Sequence, residues 1–407
     1  MLPLRTIALL VTIALVAAAC AFPAGSASPG AGTSPDTGGS PPSAGGDETE
    51  APDLNDLRVP TEGWSTDFSI ASVDLGEFLG GGPPKDGIPS IDEPRFESIA
   101  DAKGWLEGQA PVIALEIDGE ARAYPLAILM WHEIANDTLG GVPIVVTFCP
   151  LCNTALVFER TLDGIVHDFG TTGNLRFSDL VMYDRQTETW WQQATGQAIV
   201  GSLTGAMLTF LPAQIISIDQ FAETYPDGDV LSRDTGLVRD YGRNPYVGYD
   251  TADQQPFLFD GVVDGRIAPK ERVATVDLGG EQVAYPYTEL RKVGAVNETV
   301  GGQPLLVMWG PGVNSALDAS RISDSQDAGT SGVFDPTVDG RVLSFRRDGD
   351  QPNSPIVDEE TGSTWSITGL ATSGSLAGTQ LTPVVHGAHF WFAWAAFQPD
   401  TEIWSAP

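Results

Sequence analysis

The chain has 407 residues, with 54 acidic against 21 basic side chains and a formal net charge of −33. Self-repulsion of that size keeps a protein soluble and argues against nucleic acid or anionic lipid headgroups as partners. Beyond the first 20 residues no apolar run approaches the roughly 18 residues of a membrane span.

In chain order, residues 1–20 read as a signal peptide with a lipobox-like cysteine. Arg5 supplies the positive n-region, the stretch 7–16 is almost wholly apolar, and Ala17-Ala18-Ala19 lead into Cys20. Ala17 stands where such boxes usually carry leucine. Lipidation at Cys20 would leave an exported protein anchored on the outer face of the cytoplasmic membrane; ordinary cleavage at the alanine run would release it. Residues 21–55 are dominated by Ala, Gly, Ser, Thr, Pro and acids. They cannot bury enough apolar surface to offset their ordering entropy, which predicts a disordered tether.

The remaining length of about 350 residues suffices for two domains, and it contains a duplicated pattern. Gly119-Glu120, Ala123-Tyr124-Pro125, Asn136, Gly140-Gly141 and Asn153-Thr154-Ala155-Leu156 recur, without a gap, as Gly280-Glu281, Ala284-Tyr285-Pro286, Asn297, Gly301-Gly302 and Asn314-Ser315-Ala316-Leu317. Further on, Asp184, Thr187 and Trp191 match Asp358, Thr361 and Trp365. The reading is a first lobe over 56–232, a connector over 233–271 and a degenerate second lobe over 272–407.

Within the first lobe, residues 112–117 alternate as a strand and end at the Asp118-Gly119 turn signal. Residues 125–134 read as a short helix opened by Pro125, 143–148 as a β-branched strand and 155–158 as a shorter one. The expected fold class is α+β and β-rich: two similar, mainly antiparallel β lobes with short helices.

Between the last two strands lies Cys149-Pro150-Leu151-Cys152; the second copy has Gly310-Pro311-Gly312-Val313 in its place. Four chemistries fit this turn. The sulfurs form a disulfide or stay buried, as exported cysteines commonly do. They hold a soft metal, copper or zinc, with His132 as the best third ligand because its helix leads towards the strand that carries Cys149. His386 and His389, spaced as on a helical turn, serve only if the lobes pack together. The pair exchanges disulfides, although a strand follows it rather than the helix that lowers a thiol pKa. Or Cys149 is a nucleophile with His132 as base and Glu133 or Asp137 as orienter. Each histidine is unique to its copy: Val293, for example, stands opposite His132. Whether the chain is an enzyme stays open against a non-catalytic ligand-binding or scaffold protein with a structural disulfide. Asp184, Thr187 and Trp191, being shared by both copies, read as turn and core residues.

Several segments also occur in a familiar order: Gly81-Gly82-Pro83-Pro84-Lys85-Asp86-Gly87-Ile88-Pro89, Arg122-Ala123-Tyr124-Pro125, Trp131-His132-Glu133-Ile134, Phe148-Cys149-Pro150-Leu151-Cys152 and Tyr183-Asp184-Arg185-Gln186-Thr187. Together they resemble domain-of-unknown-function family 3179 of exported bacterial and archaeal proteins, over about residues 78–405. The resemblance implies no activity. Its relatives share the first cysteine more than the second.

Overall fold

The computed structural model describes residues 53–407. The proposed signal peptide, Cys20 and nearly all of the tether lie outside the described residues. No described helix is long and apolar enough to cross a membrane. The described residues belong to one compact unit built mainly of antiparallel strands with a few short helices.

The first two strands are buried in continuous runs at their paired ends rather than alternately. Pro111–Ile117 pairs with Glu120–Pro125 across the Asp118-Gly119 turn, where both residues have positive φ. Glycine adopts that geometry without strain, and aspartate tolerates it better than most side chains. Gln214–Ser217 adds on one side of this pair, and Asp229–Leu231 adds parallel on the other. A second sheet orders Thr209–Leu211, Thr154–Glu159, Val142–Cys149 and Ile134–Leu139. A third orders Phe78–Gly80, Phe169–Arg176, Asp179–Asp184, Trp190–Gln192 and Gln197–Val200.

The same order and pairings follow after residue 271. Arg272–Leu278 pairs with Glu281–Pro286, Glu402–Ile403 adds parallel, and Gly387–Phe390 takes the far side. Ala295–Val300, Gln303–Gly310, Thr330–Asp335 and Thr382–Pro383 form the second sheet; Phe345–Arg347, Ile356–Asp358, Thr364–Trp365 and Ala371–Ser373 form the third.

Matched residues make matched bonds. The Asn136 amide bridges the Phe169 N–H (2.9 Å) and C=O (2.8 Å), and the Asn297 amide does the same at Phe345 (2.8 Å each). Asp184 accepts from the Trp191 indole at 3.0 Å and the Thr187 N–H at 2.7 Å; Asp358 accepts from Trp365 and Thr361 at 3.0 and 2.6 Å. These are the turn-and-core duties expected of the shared residues.

The two halves share a core. The largest cluster runs through the first half and takes in Ala316, Leu317, Ile322, Phe390 and Phe392 from the second. The connector contains no strand, and Tyr241, Tyr246, Tyr249, Leu258 and Phe259 from it pack on the same cluster.

Two local expectations need correction. The helix expected over 125–134 is only Leu126–Leu129. Glu133 has φ +58°, outside helical space, and Ile134–Leu139 is a strand, so Asn136 and Asp137 are strand residues. Burial of nearly every residue from Ile134 to Leu139 and the Asn136 clasp outweigh local helix propensity. His386 and His389 are not on a helical turn either: His389 lies on the strand Gly387–Phe390, and His386 immediately precedes it.

Asn136 is 1% exposed, whereas Asn297 is largely exposed. Truncating Asn136 to alanine strands the buried Phe169 amide groups, at about 1–3 kcal/mol for each orphaned group. Denaturant unfolding is expected to show a clearly larger loss for Asn136→Ala than for Asn297→Ala; an equal or reversed order contradicts the clasp.

Candidate metal centre

Cys149 closes the strand Val142–Cys149 and pairs with Thr154, the first residue of the returning strand. Pro150 and Leu151 bend the chain, and Asn153, at φ +50°, completes the turn. The turn therefore points Cys149 and Cys152 inward, where they are 2% and 0% exposed. Both are free thiols in this structure.

The third sheet approaches the same point. Arg176 and Asp179 pair across a two-residue hairpin turn, Phe177-Ser178, and both turn residues have positive φ (52° and 69°). That turn type favours Asn-Gly, so phenylalanine and serine hold it at a cost in strain. The turn presents two groups to the sulfurs. The Cys149 thiol donates to the Ser178 carbonyl at 3.6 Å. The Asp179 carboxylate, fully buried, completes a trio in which both sulfurs and one carboxylate oxygen lie within 4.8 Å of one another. Asp179 Oδ2 is fixed by the Gln192 side-chain amide at 2.6 Å and the Ala194 N–H at 2.9 Å, while Oδ1 has no hydrogen-bond partner.

Burial dominates the electrostatics. It raises the Cys149 thiol and pushes Cys152 well above the usual range; each also feels the neighbouring acids. It lifts Asp179 to about 6, although hydrogen bonds from Ala194, Gln192, the Cys152 thiol and Leu180 work the other way. Glu133 is half-buried, and burial lifts its carboxyl to about 8, with the Asp179 charge adding to the effect. Four acidic groups thus share one desolvated region. Deprotonating them there is costly unless a cation joins them.

The structure brings together Cys149 and Cys152 but not His132, which was expected as the third ligand. His132 is fully buried with both ring nitrogens engaged: Nδ1 with the Pro89 carbonyl and Nε2 with the Tyr241 hydroxyl, each at 2.7 Å. The carbonyl can only accept, so Nδ1 carries the proton and Nε2 accepts from Tyr241. Burial lowers the His132 pKa and keeps the ring neutral. The nucleophile arrangement is not assembled either. Asp137 binds the Arg122 guanidinium at 2.6 Å and the Tyr124 hydroxyl at 2.5 Å, and His132 spends both nitrogens elsewhere. Glu133 instead supports the site through its backbone, its carbonyl accepting the Phe148 N–H at 2.8 Å.

The halves do pack together, and this brings His389 near the turn. Its Nδ1 lies 2.8 Å from the Thr154 hydroxyl, and the Phe390 N–H donates to the Cys152 carbonyl at 2.9 Å. Burial pushes His389 down to about 3. Its ring is not among the three clustered ligand atoms. His167 is taken up with Asp184 at 3.2 Å.

Asp179 was missed by sequence reasoning, since no motif surrounds it. The similar sequence patterns of the two halves carry a signal: counting five residues back from the matched Asp184 and Asp358 sets Asp179 opposite Asn353. At the matched positions the second half has Gly310, Val313 and Asn353.

The raised Glu133 pKa has a readable consequence for the metal-free protein. Its folded-state value lies above the ordinary one, so its contribution to stability is fully present below about pH 4.5 and is lost as pH rises through about 8. The melting-temperature gap favouring Glu133→Gln over the wild type is expected to widen from about pH 4.5 to about 8 and then level off. A gap independent of pH would contradict a buried, protonated Glu133.

No curated protein and no solved structure matches the chain. A family model described as protein of unknown function (DUF3179) matches residues 85–401, most of its length, and the chain belongs to that family.

Proposed function

We propose that the protein binds a single zinc-class metal ion through Cys149, Cys152 and Asp179. The observation that carries this reading is the trio itself: a fully buried Asp179 carboxylate, its Oδ1 with no partner among the N–H and O–H groups around it, set against two buried sulfurs of which the Cys152 thiol can bond the carboxylate. Buried acids of this kind are ordinarily paired or coordinate a cation. Two thiolates and a carboxylate match zinc, which takes sulfur, nitrogen and oxygen ligands, better than copper(I), which selects soft donors. Three protein ligands leave a fourth tetrahedral position for water or another small ligand. Thiol exchange fits less well, because an exchanging thiol needs a lowered pKa and access, whereas both thiols here are raised and enclosed. A structural disulfide would use the sulfurs but leave the bare Asp179 oxygen without a role.

The setting belongs to the same proposal. The chain is exported, lipidated at Cys20 and tethered outside the cytoplasmic membrane, and its two halves are copies of one duplicated lobe. Shared element order, strand pairings and the Asn136/Asn297 and Asp184/Asp358 bonds support the duplication.

Elemental analysis of the reduced, purified protein is expected to find about one zinc per chain. Asp179→Asn and Cys149→Ser are each expected to weaken zinc binding by at least about tenfold, whereas His132→Ala retains the metal. Undiminished zinc in Asp179→Asn, or a metal-free protein whose mass reports a Cys149–Cys152 disulfide, overturns the proposal. For the anchor, Cys20→Ser is expected to move the protein from the membrane to the soluble fraction; unchanged membrane association would remove lipidation from the account.

A further inference from the structure

Beside the three ligands of the proposed metal stands one more polar side chain that is buried without a full set of partners. Gln193 is 0% exposed, and its side-chain oxygen, Oε1, accepts no hydrogen bond. A buried amide oxygen costs stability until a donor reaches it.

Turning the amide round does not cure this. Its nitrogen donates to the Thr147 hydroxyl at 2.8 Å and to the Thr154 carbonyl at 3.3 Å. The carbonyl only accepts, and the Thr147 hydroxyl gives its own proton to the Leu156 carbonyl at 2.8 Å. The nitrogen therefore faces the strands, and the oxygen is the end without a partner.

Three observations set this side chain against the cysteine turn. Thr147 and Cys149 are two residues apart on one strand, so their side chains share a face. Thr154, paired directly with Cys149, shares it too. By binding the Thr147 hydroxyl, Gln193 lies across that face. Its chain neighbours Gln192 and Ala194 both hold Asp179 Oδ2, at 2.6 and 2.9 Å.

The second half shows the same packing without the polar atoms. Two residues on from the matched Trp191 and Trp365, Gln193 stands opposite Ile367, as Cys149 stands opposite Gly310. A β-carbon on Gly310 would meet the Ile367 side chain at 3.7 Å, an ordinary contact distance. The half without sulfurs has an apolar side chain at this contact; the half with them has an amide.

The chemistry of that amide decides what it receives. Zinc takes thiolate, imidazole and carboxylate ligands, so a neutral amide oxygen is a poor candidate for the fourth. It is a good acceptor for an O–H or N–H group already on the metal. The groups that the Phe177-Ser178 turn brings to the sulfurs, the Ser178 carbonyl and the Asp179 carboxylate, are acceptors as well. An anion with no proton to donate would face these oxygens, and it meets the field of a chain carrying −33.

We propose that Gln193 selects the ligand at the metal's fourth position: an uncharged O–H or N–H donor, water first, bound through Oε1 in preference to an anion. The proposal rests on the metal reading above.

The test uses the full chain loaded with cobalt(II), which substitutes for zinc and reports its ligands in visible and electron-spin-resonance spectra. In water enriched in oxygen-17 the wild-type cobalt signal is expected to broaden, because water is bound. Azide is then titrated as the anionic competitor. Gln193→Met and Gln193→Ile, isoleucine being what the second half carries there, are expected to keep cobalt and to bind azide about three- to tenfold more tightly. A purely structural glutamine would leave azide affinity unchanged. Cobalt bound without oxygen-17 broadening, or azide affinity equal in the wild type and both variants, overturns the role of Gln193 and leaves the metal reading standing. Loss of cobalt from both variants overturns it as well, by making Gln193 a support of the metal itself. A wild-type chain that takes up neither cobalt nor zinc defeats the metal reading, and this proposal with it.

Discussion

One carboxylate sets the terms for the first half of the molecule. Asp179 has one oxygen tied to Gln192 and Ala194, and the other left bare against two sulfurs. Removing an ionised carboxylate from water costs several kcal/mol even after relaxation. That cost is not offset by a lysine or arginine on this carboxylate among the described ion pairs. Without a cation, the local solution is protonation, in keeping with the raised Asp179, Glu133, Cys149 and Cys152. Under the metal reading, those protons are what an incoming ion displaces, so metal affinity rises with pH. The strained Phe177-Ser178 turn belongs to the same arrangement, because it delivers both the Ser178 carbonyl and the Asp179 carboxylate to the sulfurs.

The bonds that recur in both halves and the clustered sulfurs and carboxylate are made by different residues. The Asn136 and Asn297 clasps, and the Asp184 and Asp358 turns, occur once in each half and satisfy buried backbone groups. The sulfurs and Asp179 occur once in the whole. Removing a clasp attacks folding, while removing a sulfur leaves a half resembling the second one. The cysteine turn is therefore free of the duty to hold its own sheet together.

This division also explains what could be read from the chain. Strands over 112–117, 143–148 and 155–158 were legible because their apolar pattern and flanking turn residues agree with their burial. The position of the cysteine turn between two strands followed from the same signals. The stretch from Trp131 to Asp137 was not legible. Its local composition suits a short helix, but Glu133 turns the chain with φ +58° and the Asn136 clasp requires a strand. That error carried His132 towards the sulfurs on paper. In the fold its nitrogens serve Pro89 and Tyr241, and Tyr241 comes from a connector with no regular pattern to read. Asp179 was hidden for a different reason: an aspartate beside a hairpin turn is commonplace, and what sets this one apart is burial, a property of tertiary packing.

The second half shows how a comparable turn is held without sulfurs. Its counterpart around Gly312 and Val313 is held by Asp327, from the segment between the strands Gln303–Gly310 and Thr330–Asp335. Asp327 Oδ2 accepts the Gly312 N–H at 2.8 Å, and Oδ1 accepts the Val313 and Gly329 N–H groups at 3.1 and 2.8 Å. Both oxygens of that carboxylate are spent on backbone, so nothing is left over for an ion. In the first half, part of the comparable support comes from across the interface, where the Phe390 N–H binds the Cys152 carbonyl and His389 binds Thr154. The second half thus ties down the backbone of the first half's turn, which leaves one oxygen of Asp179 free of structural duty. The half without sulfurs thus braces the half that has them, through the Phe390 N–H on the Cys152 carbonyl and the His389 ring on Thr154.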